Sequence, residues 1–555
     1  MRSVHCTPVH LVWSSPEIRL PPSVDLSLLS LGLKFIPSVR LPVLNENSTF
    51  KAIARVLPRL SLQGKEIIKT GLDFKLKALA TPRHDNLTYS QRETLEWFRS
   101  SRDFLVLSSD KNLGLVVCDT VWYRRQMESH LLDHTTYEPT QAFDWHQTAA
   151  LCNSVWPHDL TLRKLTLATS KDPCRFYVIP KVHKNPPASR PISGARRFVT
   201  SPLSRKLAEI LQLVVSNHPT IVGDSLDVIR DYEAKASTFL PTDRVFAGDV
   251  TALYPSIDTK AALSLIPRNF INELPQAMRQ PVLKGMRVVQ THMFVRDLDT
   301  NITYKQIQGT AMGTPMAPPY ANLFLLALET PVFRDFPEVI THWRLIDDYC
   351  GVFRGSDARF EEFKRRMNAM QKGIVIVFTP LTKAVNFLDL TLFYDEKARQ
   401  WAVKLFRKPI NKYLYIPQHS AHTRACLRGW IKGELIRILR ASGTCATWSQ
   451  DVQFFEDCLL LRGYALRDLQ RIFQGIKYGM RAAYLQRKPK ETTGGGATYL
   501  NVRYAPTVET SHVNRLLHDE LPNPHLRIAW SYPASLARLL VRTHPLQPVE
   551  ATRHT

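Results

Sequence analysis

The sequence predicts an α+β chain, and three observations carry that expectation. Residues 245–250 form an apolar strand pattern that delivers Asp249 near its end. Between His342 and Phe353 two short apolar stretches flank Asp347-Asp348, the pattern of a β-hairpin with carboxylates at its tip. Helical spacing runs through residues 201–216, 260–270 and 320–328, interleaved with these strands.

The remaining elements follow in chain order. Residues 89–99 suit a helix, and 104–107 and 115–118 read as strands flanking the polar turn Ser108-Ser109-Asp110-Lys111-Asn112. A strand at 175–179 leads into a basic, proline-stiffened loop, 180–187. Residues 359–372 form a charged amphipathic helix, 374–378, 385–394 and 401–407 are strands, and the pattern is helical again beyond Lys412. Residues 50–80 look helical and basic, and Gly494-Gly495-Gly496 marks a flexible break before a tail rich in Pro and Arg.

With 555 residues and 44% hydrophobic content the chain can bury several cores. Lys and Arg outnumber Asp and Glu 73 to 49, a net charge of +24 that predicts a polyanionic partner. Residues 401–490 alone hold 17 basic against 5 acidic residues, half of that surplus. The eight cysteines form no CxxC pair, which predicts reduced thiols in an intracellular protein and no zinc site. No basic region followed by an apolar run opens the chain, and no stretch approaches a bilayer span, so secretion and membrane insertion are not expected.

Phosphoryl transfer to a hydroxyl needs two divalent cations about 3.5–4 Å apart. Hard cations such as Mg²⁺ take carboxylate oxygens. Asp249, at a strand end with an aromatic, Tyr254, five residues on, and the pair Asp347-Asp348 on a tight turn supply that donor type. Between them lies Gln308-Gly309-Thr310-Ala311-Met312-Gly313-Thr314-Pro315, whose glycines let backbone approach a flat ligand, followed by a helix that starts behind Pro318 and Pro319.

These three segments resemble motifs A, B and C of reverse transcriptases, and in detail those of the Penelope-like retroelement group, itself similar to telomerase catalytic subunits. The stretch Leu28-Leu29-Ser30-Leu31-Gly32-Leu33-Lys34-Phe35-Ile36-Pro37 resembles that group's N-terminal signature. Ser109-Asp110-Lys111-Asn112-Leu113-Gly114 is similar to its Asp-Lys-Gly segment, and Ile179-Pro180-Lys181-Val182-His183-Lys184, leading to Arg190-Pro191-Ile192, to its Pro-Lys-x-His-Lys element. The resemblance covers residues 28–490. It implies a right-hand polymerase: fingers, a palm with an antiparallel sheet backed by helices, and a helical thumb. The segments are then an N-terminal extension (1–95), fingers (96–240), palm (241–400), basic thumb (401–490) and C-terminal tail (491–555).

Carried over residue by residue, the resemblance implies Asp249, Asp347 and Asp348 as catalytic metal ligands for two Mg²⁺ or Mn²⁺ ions, with the Val250 carbonyl adding a donor. It makes Tyr254 a steric gate against ribose 2′-hydroxyls. Lys181 and Arg190 would grip the incoming triphosphate, and Gly313, Thr314 and Pro315 would shape the nucleotide pocket. Lys111, Lys184, Arg437 and Arg440 are nucleic-acid contacts, and Lys372 or Lys383 would occupy the place of a general acid. Met312 stands where many reverse transcriptases have Gln, which removes a polar contact near the nucleotide.

The implied activity is RNA-directed DNA polymerisation from a DNA 3′ end, with an RNA template, a DNA primer and dNTPs as partners. No GIY-YIG endonuclease motif follows residue 490, as in the endonuclease-lacking branch of the group. A chromosomal primer implies a nuclear location, with a cytoplasmic ribonucleoprotein stage. Two alternatives stay open: another template-directed polymerase, telomerase-like or RNA-dependent, and an inactive RNA-binding protein that retains the basic groove.

Overall fold

The computed structural model describes residues 9–38, 85–487, 498–504, 510–511, 514–515 and 526–545. The helical pattern of 50–80 and the Gly494-Gly495-Gly496 break lie outside them. The chain divides into two compact units, one of Met1–Thr120, Ile410–Arg440 and Trp448–Thr555, the other of Val121–Pro409 and Ala441–Thr447. Residues 96–240 and 401–490 are each divided between the two units, while 241–400 falls whole within the second. Among the described residues no helix is long and apolar enough to cross a membrane.

In the first unit, β1 (Val9–Val12) pairs parallel with β3 (Leu115–Asp119), which pairs antiparallel with β2 (Phe104–Ser108). This pairing is why residues 104–119 join the N-terminal segment. The stretch Leu28–Pro37 is a core component there: Leu28, Leu29 and Phe35 are fully buried. Its backbone is tied to distant chain by Ile36 N–H donating to Ser420 Oγ (2.9 Å) and Ala421 N–H to the Ile36 carbonyl (3.0 Å). Arg462 donates to the carbonyls of Tyr415 (2.7 Å), Ser30 (3.1 Å) and Leu31 (2.7 Å). One partly buried guanidinium thus ties two other segments, 30–31 and 415, to its own. The helices Arg424–Ala441, Cys445–Leu460 and Leu466–Phe473 bear out the helical pattern beyond Lys412.

The second unit is built on two larger sheets. One has five strands in the order β4 (Tyr137–Pro139), β9 (Thr303–Gln306), β8 (Phe294–Arg296), β5 (Cys174–Lys181) and β6 (Ala188–Gly194). The other is antiparallel with four strands, β10 (Val339–Leu345), β11 (Asp348–Phe353), β7 (Arg244–Val250) and β12 (Ile376–Phe378). A third sheet joins β13 (Ala384–Phe387), β14 (Leu390–Asp395) and β15 (Gln400–Leu405). The α+β class is thus as expected.

Helices Ser201–Ser216, Thr259–Phe270, Ala317–Asp335 and Asp357–Asn368 back the four-stranded sheet through one core that includes Leu203, Leu207, Phe246, Ile266, Phe324 and Phe363. Alternation along β7 turns Phe246 and Val250 into that core and leaves Asp249 on the opposite, exposed face. Caps place the helices: Asp258 accepts from Ala261 N–H (2.8 Å) and Ser356 Oγ from Arg359 N–H (3.3 Å).

Two expectations are corrected by this structure, and one helix was not expected. The stretch 180–187 is not all loop, since β5 runs through Lys181 and returns as β6, whose Pro191 sits where the two-strand ladder tolerates it. Residues 385–394 are two strands, broken at Leu388-Asp389, where Leu388 takes a left-handed φ of +57°. The helix Gln276–Thr291 has no counterpart in the sequence reading, Pro281 and Gly285 having masked its periodicity.

Candidate active site

The pairing of β11 with β7 sets Asp348 directly opposite Asp249. Cross-strand partners share a face, so both carboxyl groups emerge on the side away from the helices. Asp347 occupies the turn with Ile346, and its carbonyl accepts from Val250 N–H (2.9 Å), which lashes the turn to the end of β7. Ile346 has a φ of +55°, a left-handed conformation that a β-branched residue takes only in a tight turn.

Burial, then the neighbouring charges of Asp347 and Asp249, pushes the Asp348 carboxyl up to about 6; a hydrogen bond with Asp249 acts the same way and Lys408 opposes it. Three acidic groups therefore share a site that disfavours full ionisation without a cation. Among the described residues no three His, Cys, Asp or Glu side chains are disposed to hold a metal ion as they stand. The donor set nonetheless fits one: the oxygens are hard, two carboxyls are apposed, and their repulsion is what a divalent cation relieves.

Tyr254 follows β7 by one short turn and sits against this cluster. Burial raises its phenol to about 12, Asp347 adds to the rise and Arg190 offsets it, so all three lie within electrostatic reach. The loop after β9 closes the same space: Thr310 N–H donates to the Tyr254 carbonyl (2.9 Å) and Gly309 N–H to that of Ile257 (3.1 Å). A Cβ on Gly309, whose φ is +78°, would stand 2.6 Å from the Tyr254 carbonyl oxygen. Gly313, at φ +119°, would place one 2.2 Å from the Ser193 oxygen. Only glycine allows this loop to press between β6 and the segment that bears Tyr254. Thr314 is buried and bonds within the loop, Oγ1 to the Ala311 carbonyl (3.1 Å), and Pro315 precedes the helix Ala317–Asp335.

Arg190 lies opposite Ile179 in the β5–β6 hairpin and Lys181 lies opposite Ala188, so both basic side chains share one face. Lys181 is also near His130, whose pKa is lowered by burial first and by Lys181 second. Lys184 is exposed at the hairpin tip. The structure thus gathers Asp249, Asp347, Asp348, Tyr254 and Arg190 in one neighbourhood, with Gly313 reaching it through Ser193.

The other expected contacts belong to the first unit. Lys111 is exposed in the turn between β2 and β3 with a φ of +63°. Arg437 forks onto Glu434 (2.9 and 2.6 Å), and Arg440 donates to the Tyr484 carbonyl (2.9 Å). The exposed cations of that helix are instead Arg424, Arg428 and Lys432, spaced four apart on one face.

Of the two lysines expected in the place of a general acid, Lys383 is held at the Arg244 end of β7. Its ammonium donates to the carbonyls of Pro241 and Asp243 and lies 5.2 and 5.7 Å from the Tyr394 and Trp401 rings. Lys372 is exposed in the turn that enters β12 beside Val250, the end where Asp249 sits. Lys408, just past β15, lies within electrostatic reach of Asp348, a placement that a lysine in a basic stretch does not signal in the sequence.

Residues 414–474 match the family described as the animal helix-turn-helix domain. No curated protein matches the chain. Among solved structures, the telomerase of Candida albicans in complex with a TWJ fragment of telomeric RNA is 13% identical, over 80% of this chain and 71% of that one, with a TM-score of 0.48. The apo telomerase of Candida tropicalis is 12% identical over 80% and 83%, at 0.43. The RNA-dependent RNA polymerase of a human picobirnavirus is 12% identical over 84% and 96%, at 0.41.

Proposed function

We propose that this chain is a template-directed nucleic-acid polymerase of right-hand architecture, and specifically an RNA-directed DNA polymerase of the Penelope-like kind that extends a DNA 3′ end. The observation that carries the reading is the apposition of Asp249 and Asp348 across β7 and β11, with Asp347 on the adjoining turn and Tyr254 and Arg190 beside it.

Asp249, Asp347 and Asp348 would hold two Mg²⁺ or Mn²⁺ ions, with the Val250 carbonyl as a further donor. Bound there, the ions supply acidification of the primer 3′-hydroxyl and neutralisation of the triphosphate. The hydroxyl gives its proton to solvent and its oxygen forms a bond to the α-phosphorus as the bond from that phosphorus to the α,β-bridging oxygen breaks, so that pyrophosphate departs. Arg190, a planar fork, suits the triphosphate, and Lys181 on the same hairpin face adds a point charge. The loop from Gly309 to Pro315 cradles the nucleotide, and the Tyr254 ring crowds a ribose 2′-hydroxyl. A net charge of +24 accords with RNA template and DNA primer as partners, and a chromosomal primer with a nuclear site of action.

Primer extension on RNA and DNA templates, with dNTPs or rNTPs and with or without Mg²⁺, tests this. The wild type is expected to incorporate dNTPs on RNA only with metal, and Asp249→Ala and Asp347→Ala to lose activity by on the order of 10³-fold. Equal activity in those variants, or none in the wild type, sinks the reading.

A further inference from the structure

The hairpin that carries Asp347 and Asp348 is fastened from behind by one buried carboxylate. Arg344 on β10 and Tyr349 on β11 are cross-strand partners that flank the turn on its core side. Arg344 Nε donates to Glu329 Oε1 (3.0 Å), and the Tyr349 hydroxyl donates to Glu329 Oε2. Glu329 therefore holds both strands at once. The other two guanidinium nitrogens are engaged as well: Nη1 reaches Asn322 Oδ1 (2.8 Å) and the Ile346 carbonyl (3.1 Å), and Nη2 the Asn322 carbonyl (2.9 Å).

Arg344 is 0% and Glu329 1% exposed. An ion pair in such a place is a poor source of stability, because desolvation offsets much of its attraction. Its geometry points to another use. Nη1 grips the carbonyl of Ile346, the left-handed residue that immediately precedes Asp347. Asn322 and Glu329 lie seven residues apart, two turns along one face of the helix Ala317–Asp335. That helix begins directly after the Thr314-Pro315 step of the nucleotide loop.

We propose that Glu329, with Arg344, Asn322 and Tyr349, is a positioning clamp that sets the carboxylates of Asp347 and Asp348 for metal and couples them to the helix behind the nucleotide pocket. All four are buried, and they act through the turn. The inference rests on the reading of the three aspartates as metal ligands.

The test is Mn²⁺ binding, followed by electron paramagnetic resonance on the full chain, beside metal titrations of primer extension and thermal melts. Tyr349→Phe deletes one hydrogen bond and keeps the ring; Arg344→Lys keeps the charge and loses the fork. Both are expected to raise the half-saturating Mn²⁺ concentration roughly 10-fold, as loss of groups that orient metal ligands does. The dNTP KM at saturating metal should change far less. A merely structural role would lower the folded fraction and the signal amplitude while leaving the midpoint in place, and that result overturns the clamp. Should Arg344→Lys fail to fold, Tyr349→Phe carries the test alone. Wild-type protein that binds no Mn²⁺, or an Asp249→Ala variant that binds it as well as wild type, overturns the underlying reading and the clamp with it.

Discussion

Asp348 stands directly across from Asp249 in the pairing of β11 with β7, and the two side chains share a hydrogen bond. Burial first, then the charges of Asp347 and Asp249, push the Asp348 carboxyl up to about 6, and the hydrogen bond with Asp249 adds to the rise. In the unfolded chain it would titrate near 3.8. The folded chain thus binds more protons between these values, so the contribution to stability is complete below the lower one and is lost as pH rises through about 6. Metal binding runs the opposite way, because the ion needs the carboxylate. The melting temperature of metal-free protein should fall from pH 4 to 6.5 relative to Asp348→Asn. Mn²⁺ affinity should rise about tenfold per pH unit over the same range, then level. Melts and Mn²⁺ titrations across that range check both, and a flat pair of profiles removes the raised titration of Asp348.

Tyr254 gives a prediction about sugar choice. Its ring is packed by burial and its backbone is pinned by Thr310, so it has little room to yield to a larger sugar. Tyr254→Ala should lower the preference for dNTPs over rNTPs by roughly 10- to 200-fold, the range that one steric contact supplies. The ratio of kcat/KM for the two nucleotide types is the measurement, and an unchanged ratio leaves Tyr254 as a core aromatic.

Much of this site was legible in the sequence where a local pattern carried it. The strand ending in Asp249, the helix Ser201–Ser216 and the hairpin around Asp347 follow from periodicity and turn chemistry within a dozen residues. What was not legible depends on contacts between distant positions. Arg344 in a strand pattern shows no sign that Glu329 and Asn322 will bury it, and Lys408 reaches Asp348 only once the strands are stacked. Arg437 and Arg440 have helical spacing that suits a phosphate track, yet Glu434 and the Tyr484 carbonyl occupy them. Lys383 likewise has a strand neighbour's spacing, and two carbonyls with two aromatic rings hold it at the far end of β7. Lys383→Met should therefore lower thermal stability without altering the pH profile of catalysis, whereas Lys372→Leu should alter the profile.

Gly313 joins the loop after β9 to the hairpin that bears Arg190. Ser193 N–H donates to the Met312 carbonyl at 2.9 Å, and the next residue passes so close that a Cβ would meet the Ser193 oxygen at 2.2 Å. Its φ of +119° adds strain for any side chain. Gly313→Ala should cost about 1–3 kcal/mol at the loop and raise the dNTP KM while Mn²⁺ binding at the aspartates persists. Wild-type KM in a folded Gly313→Ala protein would show that the loop does not shape the pocket.

The exposed face of the helix Arg424–Ala441 yields the last prediction. Arg424, Arg428 and Lys432 line it at one-turn intervals, and Gly429 and Gly433 stand beside them where an added Cβ would meet nothing within 4 Å. Glycine there costs helix stability, roughly 0.5–1 kcal/mol against alanine, with no packing in return. Small residues between cations let a phosphate backbone come close, so this face suits nucleic acid better than Arg437 and Arg440 do. Replacing Arg424, Arg428 and Lys432 together with alanine should weaken binding to an RNA–DNA hybrid. Each lost phosphate contact should also flatten the dependence of log affinity on log salt by about 0.7–0.9. Gly429→Ala should raise the melting temperature and yet loosen the same complex. Titrations at several salt concentrations decide it: an unaltered slope in the triple variant would assign this stripe to solvent, and tighter binding by Gly429→Ala would reverse the role given to the glycine.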